Sequence, residues 1–236
     1  INYMPELPEV EVVKKSLERE VNKKTIKKVK IYDLNLRYKV NKNDINKING
    51  LKILKIERRS KYLIFQFDKG LSMLVHLGMT GKFFIIKKKH FKQKTSFYYE
   101  IDEKNDNKHD RLKFIFTNKT QLIYNDIRKF GFIKFIQKVN LDQNFHLKHL
   151  GPEPLSSKFN IRYFKNYIKE KERTIKDILM DQKFISGLGN IYVNEILFFS
   201  GVNPAKKIEN LADVEIKRII KFSKIVISKA IILGGS

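Results

Sequence analysis

The chain contains no cysteine, so it forms no disulfide and offers no thiolate to a metal. For compartment, that absence leans weakly toward the cytoplasm. No stretch is long and apolar enough to read as a membrane span, and Ile1 to Met4 is too short for a targeting peptide. Acidic residues are also scarce. There are 25 Asp and Glu against 49 Lys and Arg, a formal net charge of +24. Such an excess suits a polyanion, and nucleic acid is the commonest one. Part of it also fits codon bias, because Lys, Asn and Ile dominate as AT-rich coding DNA favours. With 42% hydrophobic residues, disorder is not the default. A length of 236 residues allows one large domain or two ordinary ones. The aromatic residues sit in apolar strand patterns, which makes them core first and base-stacking platforms second.

The periodicity changes twice. Val10, Val13, Leu17 and Val21 recur at helical spacing and predict an amphipathic helix from Glu6 to about Val21. From about Thr25 to Gln137 the pattern is that of strands. Segments 53–56, 62–67, 71–75, 97–101, 112–116, 121–124 and 132–136 are expected strands, with short turns at 68–70 and 117–120. Many short strands at regular spacing indicate an antiparallel sandwich. Segments 87–95 and 103–108 are polar and expected as loops. His149-Leu150-Gly151-Pro152-Glu153-Pro154 breaks the pattern, and helices are expected beyond it at 161–171, 174–181, 191–200 and 214–233. Ser186-Gly187-Leu188-Gly189-Asn190 forms a tight turn in which Asn190 is placed to cap the next helix.

The segment Met4-Pro5-Glu6-Leu7-Pro8-Glu9-Val10-Glu11 holds the most chemistry. A proline after a methionine becomes a chain terminus once the methionine is removed. Its nitrogen is then a free secondary amine, which no internal residue supplies. Glu6 and Glu9 follow at the start of a helix. By itself, the plain structural reading would prevail: a proline in a first helical turn, with acids near a helix dipole.

Further segments change that balance. They are Arg58-Arg59-Ser60-Lys61-Tyr62-Leu63, His76-Leu77-Gly78-Met79-Thr80-Gly81 and Lys108-His109-Asp110. They continue with Asp126-Ile127-Arg128-Lys129-Phe130-Gly131, His149 to Leu155, and Gly187-Leu188-Gly189-Asn190-Ile191-Tyr192. In this order the chain resembles the formamidopyrimidine-DNA glycosylases, bacterial-type repair enzymes for oxidised purines. The resemblance runs from Pro5 to Ser236. It implies an α+β fold: an N-terminal β-sandwich flanked by helices at 5–139, a hinge at 140–155, and a helical helix–two-turns–helix domain at 156–236. The implied partner is double-stranded DNA carrying a damaged base or an abasic site, bound by a monomer in the cleft between the domains. The implied location is the cytoplasm, at the nucleoid.

The resemblance also implies roles. Pro5 attacks C1′ and expels the base. An α-amine of pKa ~7.7–8.0 keeps a useful neutral fraction at pH 7, whereas a lysine near ~10.4 does not. The resulting iminium is an electron sink that makes the C2′ proton acidic and lets the phosphate leave. Met4 is thus the expected initiator, with residues 1–4 absent from the active protein. Glu6 is the implied general acid, and Lys61 the implied lysine beside the lesion phosphate. Glu9 could support the same site. Met79, Arg128 and Phe130 are the implied wedge that fills the hole left by the everted base. Without the resemblance, Met79 and Phe130 read as core. With it, both are expected to be exposed at the cleft. His109, Arg128 and Lys61 are implied phosphate contacts, Asn190 lies where a helix N-terminus favours an anion, and Arg173 and Lys176 are plausible extra contacts.

Several features depart from the family pattern. Ile127 stands where the family usually has proline, which is expected to loosen the wedge loop. Glu172 stands where a basic residue is frequent. The family's lesion-covering loop and four-cysteine zinc finger lie beyond Gly234-Gly235-Ser236, so zinc is implied only for a longer protein and none is expected in this segment. An opening Ile and closing Gly-Gly-Ser read as the ends of a longer chain cut short. His146 and His149 lack partner ligands. Three other readings stay open: an endonuclease VIII-like glycosylase for oxidised pyrimidines, a non-catalytic DNA-binding module, and a basic structural protein.

Overall fold

A computed structural model describes residues 4–86, 92–94 and 107–235. The architecture is α+β. Helix α1 (Leu7–Val21) starts the chain, followed by β1 (Ile26–Ile31), a short α2 (Lys42–Lys47), β2 (Ile53–Arg59), β3 (Tyr62–Phe67) and β4 (Leu71–His76). Next come β5 (Gly81–Ile86), β6 (Lys92–Lys94), β7 (Asp110–Phe116), β8 (Gln121–Asp126) and β9 (Phe132–Gln137). One sheet has the order β1-β7-β8-β5-β6 and the other β2-β3-β4-β9, and every recorded pairing is antiparallel. Apolar residues of both sheets meet in one core, which α1 covers through Val10, Val13, Leu17 and Val21. The alternation of buried Phe83 and Ile85 with their half-buried neighbours along β5 is the period-2 signature of such a face.

The expected strands at 53–56, 62–67, 71–75, 112–116, 121–124 and 132–136 correspond to β2, β3, β4, β7, β8 and β9. Segment 97–101 lies outside the described residues. Two corrections concern loops. Residues 92–94 belong to an expected loop yet form β6, whose backbone pairs with Ile86, Ile85 and Phe84 of β5. A sheet edge recruits backbone groups, so a polar segment can add to it without an apolar face. Residues 107–109 form a 3-10 turn.

The C-terminal part contains α3 (Ile161–Ile168), α4 (Ile175–Met180), α5 (Asn190–Ser200) and α6 (Asp213–Leu233) around a second core. Between α4 and α5 the Gln182 side chain accepts from the Gly187 amide at 2.8 Å and donates to the Leu188 carbonyl at 2.8 Å, fixing the connecting turns. Leu7 of α1 belongs to this second core. Its amide donates to Gly187 O at 3.0 Å, and a side chain at residue 187 would strike Leu7, with φ +99° there also favouring glycine. Helix α1 therefore touches both cores and carries its first turn into the seam.

A polar network closes the rest of the seam. Arg58 donates to both Glu153 oxygens at 2.9 and 2.8 Å and to Glu11 at 2.7 Å. Arg59 donates to the carbonyls of Leu150 and Gly151 at 3.0 and 2.7 Å and to Ser186 Oγ at 2.9 Å. The bidentate geometry suits guanidinium and not ammonium. These bonds tie β2 to the 150–153 segment.

Candidate active site

A cleft of about 470 Å³ opens at this seam, lined by Met4, Glu6, Lys61, His76, Gln182 and Asn190 among others. Glu6 and Lys61 are buried there, at 3% and 7% exposure. Glu6 is the N-cap residue of α1, and its own amide donates to Glu9 Oε2 at 2.9 Å. Its side chain leaves α1 and reaches α5. Glu6 Oε2 accepts from the Gly189 amide at 2.5 Å, and Oε1 accepts from the Ile191 amide at 3.1 Å. These are orphan donors of a helix N-terminus, where a carboxylate is favoured.

This corrects the expectation for Asn190. The N-cap of α5 is Gly189, which has no side chain to cap with, and Asn190 is the exposed first residue of the helix. Glu6 does the capping from another element. A Cβ at residue 189 would collide with the Glu6 carboxyl group, so the bare Cα permits the approach. Asn190 itself lines the cleft. Tyr192, one turn further into α5, donates to Glu9 Oε1 at 2.5 Å. Both carboxylates of the first turn of α1 are thus held by α5.

Burial pushes the Glu6 carboxyl above its ordinary pKa, against the pull of Lys61 and the two amides, and Glu9 pushes the same way. Burial pushes the Lys61 ammonium below its ordinary value, with Glu6 and Glu9 opposing. Both groups move toward their neutral forms. The cleft floor therefore favours a carboxyl that keeps a proton and a lysine that gives one up more readily than usual.

His76 was not singled out in the sequence, although it stands in a recognised segment. It lines the cleft, accepts from the Gly78 amide through Nδ1 at 3.0 Å, and packs on Phe132. Burial, with Lys61 adding to it, lowers its pKa to about 4, so it is neutral at pH 7. The signal available in the sequence was a titratable residue ending an otherwise apolar strand.

Pro5 is half-buried between Met4 and Glu6, and its nitrogen carries the Met4 acyl group. Met79, Arg128 and Phe130 converge on one spot. Arg128 Nη1 lies 3.1 Å from Met79 Sδ, and the guanidinium sits 4.4 Å from the Phe130 ring centroid. Phe130 is 45% exposed. Met79 is only half-buried rather than exposed, because Arg128 lies against its sulfur. Pro5, Met79, Arg128, Phe130, His109 and Arg173 are not among the residues that line the cleft. His109 Nδ1 is 3.5 Å from Arg111. Arg173 is held by Asp181 at 3.0 Å and the Asp177 carbonyl at 2.9 Å, so a phosphate would have to compete with Asp181 for it.

The zinc implied by the resemblance finds no ligand set here. The chain has no cysteine, and no group of three or more potential ligands converges among the described residues. His146 Nε2 faces the Lys134 ammonium at 2.9 Å. Among the described residues no helix is long and apolar enough to cross a membrane.

A sandwich and a helical domain that bury an acid and a lysine in the cleft at their seam, with methionine, arginine and phenylalanine meeting on two loops of the sandwich, define a two-domain architecture. Comparison with known proteins specifies it. Residues 4–133 match the formamidopyrimidine-DNA glycosylase N-terminal domain, and residues 150–236 match the formamidopyrimidine-DNA glycosylase H2TH domain. The formamidopyrimidine-DNA glycosylase of Rickettsia bellii is 40% identical over 233 residues, covering 99% of this chain and 80% of that one. The Lactobacillus johnsonii protein of that name is 37% identical over 208 residues, covering 88% of this chain and 70% of that one. The Lactococcus lactis Fpg, solved in complex with DNA containing an abasic site, superposes with a TM-score of 0.84 at 31% identity, covering 98% of this chain and 81% of that one. The chain belongs to the formamidopyrimidine-DNA glycosylase family, the DNA glycosylases of DNA repair.

Proposed function

We propose that this chain removes oxidised purines, formamidopyrimidine and 8-oxoguanine, from duplex DNA and then cuts the strand at the resulting abasic site. The observation that carries the reading is Glu6, a buried carboxyl fastened to the α5 amides beside buried Lys61, one residue from Pro5. The active form begins at Pro5, whose nitrogen is then a free secondary amine. Its lone pair forms a bond to C1′ as the glycosidic C–N bond breaks, and the base leaves with that electron pair and a proton. Glu6, held toward its protonated form by burial, gives a proton to the ring oxygen as the sugar opens. The product is an iminium between Pro5 and C1′. Loss of the C2′ proton sends electrons toward that cation, the phosphate departs, and a second elimination completes β,δ-cleavage. Lys61, Asn190, His109 and Arg128 are the proposed phosphate contacts, with Arg173 following once Asp181 releases it. Met79, Arg128 and Phe130 fill the space of the everted base. Such an enzyme works at the nucleoid.

Borohydride trapping tests this directly. The protein with Pro5 as its first residue is reacted with a duplex carrying an abasic site, and the adduct is mapped by mass spectrometry. An adduct on Pro5 supports the mechanism. Duplex binding with no adduct would leave a DNA-binding module without this chemistry.

A further inference from the structure

The wedge residues stand on two loops that the sheet order makes neighbours. β4 and β9 pair in one sheet, with His76 opposite Phe132. β5 and β8 pair in the other, with Gly81 opposite Asp126. Residues 77–80 and 127–131 therefore cross between the sheets side by side.

What joins the two crossings is polar and buried. Asp126 is fully buried and Thr80 is 4% exposed. The Thr80 hydroxyl donates to Asp126 Oδ1 at 2.5 Å and accepts from the Arg128 amide at 2.9 Å. Asp126 also accepts from the Lys129 amide at 3.1 Å and the Gly131 amide at 2.9 Å, with the Tyr124 hydroxyl at 3.4 Å. Arg111 holds the Asp126 carbonyl at 2.8 and 3.0 Å. It also pairs with Asp33, which takes the Lys129 ammonium at 2.7 Å. Lys129 has φ +57°, a conformation disfavoured for a residue with a Cβ, and the hydrogen bond from its backbone N–H to Asp126 holds it there. Gly78, at φ +62°, backs onto the Phe130–Gly131 backbone so closely that a Cβ would lie 2.5 Å from Gly131 N.

We propose that Thr80 and Asp126 are positioning residues for base eversion, a hydrogen-bonded staple that preforms the Met79–Arg128–Phe130 wedge as one unit. The proposal rests on the glycosylase reading. A wedge assembled beforehand does not lose the conformational freedom of two loops at the moment of insertion.

The test compares Thr80→Val, which keeps the size of the side chain but not its hydroxyl, with Thr80→Ser, which keeps the hydroxyl. Both are made in the whole protein with Pro5 terminal. Single-turnover cleavage is measured on a duplex with 8-oxoguanine opposite cytosine and on a single-stranded oligonucleotide with an abasic site, where no base pair must open. A 2-aminopurine beside the lesion reports unstacking. Thr80→Val is expected to slow both duplex excision and the 2-aminopurine rise by 10-fold or so, to cleave the single strand within about twofold of the parent, and to speed hydrogen exchange at residues 128, 129 and 131. Thr80→Ser is expected to match the parent on both substrates. Thr80→Ala serves in place of a valine variant that does not fold. Equal slowing on both substrates, no slowing on the duplex, or a serine variant as slow as valine would each overturn the proposal. A parent that cleaves neither substrate would sink the glycosylase reading, and the staple's role with it.

Discussion

The floor of the cleft and the loop rim of the sandwich that carries Met79, Arg128 and Phe130 break the usual sorting of side chains in opposite directions. On the floor, Glu6 and Lys61 are charged groups under 10% exposed. On the rim, Phe130 and Ile127 are large apolar groups about half exposed. Each misplacement costs free energy. The two regions share one device. A carboxylate collects backbone amides behind the working groups: Glu6 takes those of Gly189 and Ile191, and Asp126 takes those of Lys129 and Gly131. The difference is that on the floor the anchoring group, Glu6, itself lines the cleft, while on the rim Asp126 stands fully buried behind the exposed Phe130. Floor substitutions should therefore disturb chemistry and folding together, and rim substitutions should separate them.

The largest expected effect is at the seam beneath the floor. Arg58→Ala leaves Glu153 and Glu11 without their guanidinium and is expected to destabilise the fold by roughly 3–5 kcal/mol in urea unfolding. A loss under about 1 kcal/mol would mean that the seam is held mainly by apolar contact through Leu7. Next, Glu6→Gln is expected to slow base excision about 100-fold, near 2.7 kcal/mol, with duplex affinity little changed. A variant that excises at the parent's rate would remove Glu6 from the acid role.

The third effect concerns pH. His76 has its pKa lowered to about 4, against a usual value near 6.5. Between those values the unfolded chain binds a proton that the folded chain refuses, so stability is lost as pH falls through that window and is fully present above it. From pH 7 to 5 the loss is up to about 2 kcal/mol, and His76→Gln should lack that component. Equal slopes of stability against pH in parent and variant would show that His76 gains its proton in the fold. The smallest stability effect belongs to the rim. Phe130→Ala should change folding by no more than about 0.5 kcal/mol, as for other surface positions, while slowing duplex excision. A large loss of stability would place Phe130 in the core rather than on a wedge.

Much of this molecule was legible from its residues one after another. Period-2 and helical spacing located α1, most strands and the C-terminal helices, because those periodicities follow from local backbone geometry and one buried face. Of the ordered segments, those that hold Glu6, Lys61, His76 and Asn190 meet in the cleft. The polar edge strand β6 and the short α2 left no apolar period to read. Local sequence points to Asn190 as the cap of α5 because a cap is sought next door, whereas Glu6, which caps it, stands 183 residues from Gly189. The shift of Glu6 and Lys61 toward neutrality, the neutral His76 and the joining of residues 80 and 126 likewise arise only when distant segments exclude water together. Sequence by itself determined which groups are available and which local structures they form. Tertiary structure alone decided which of them share a desolvated space, and burial with the partners met there sets a carboxyl's proton and a loop's rigidity.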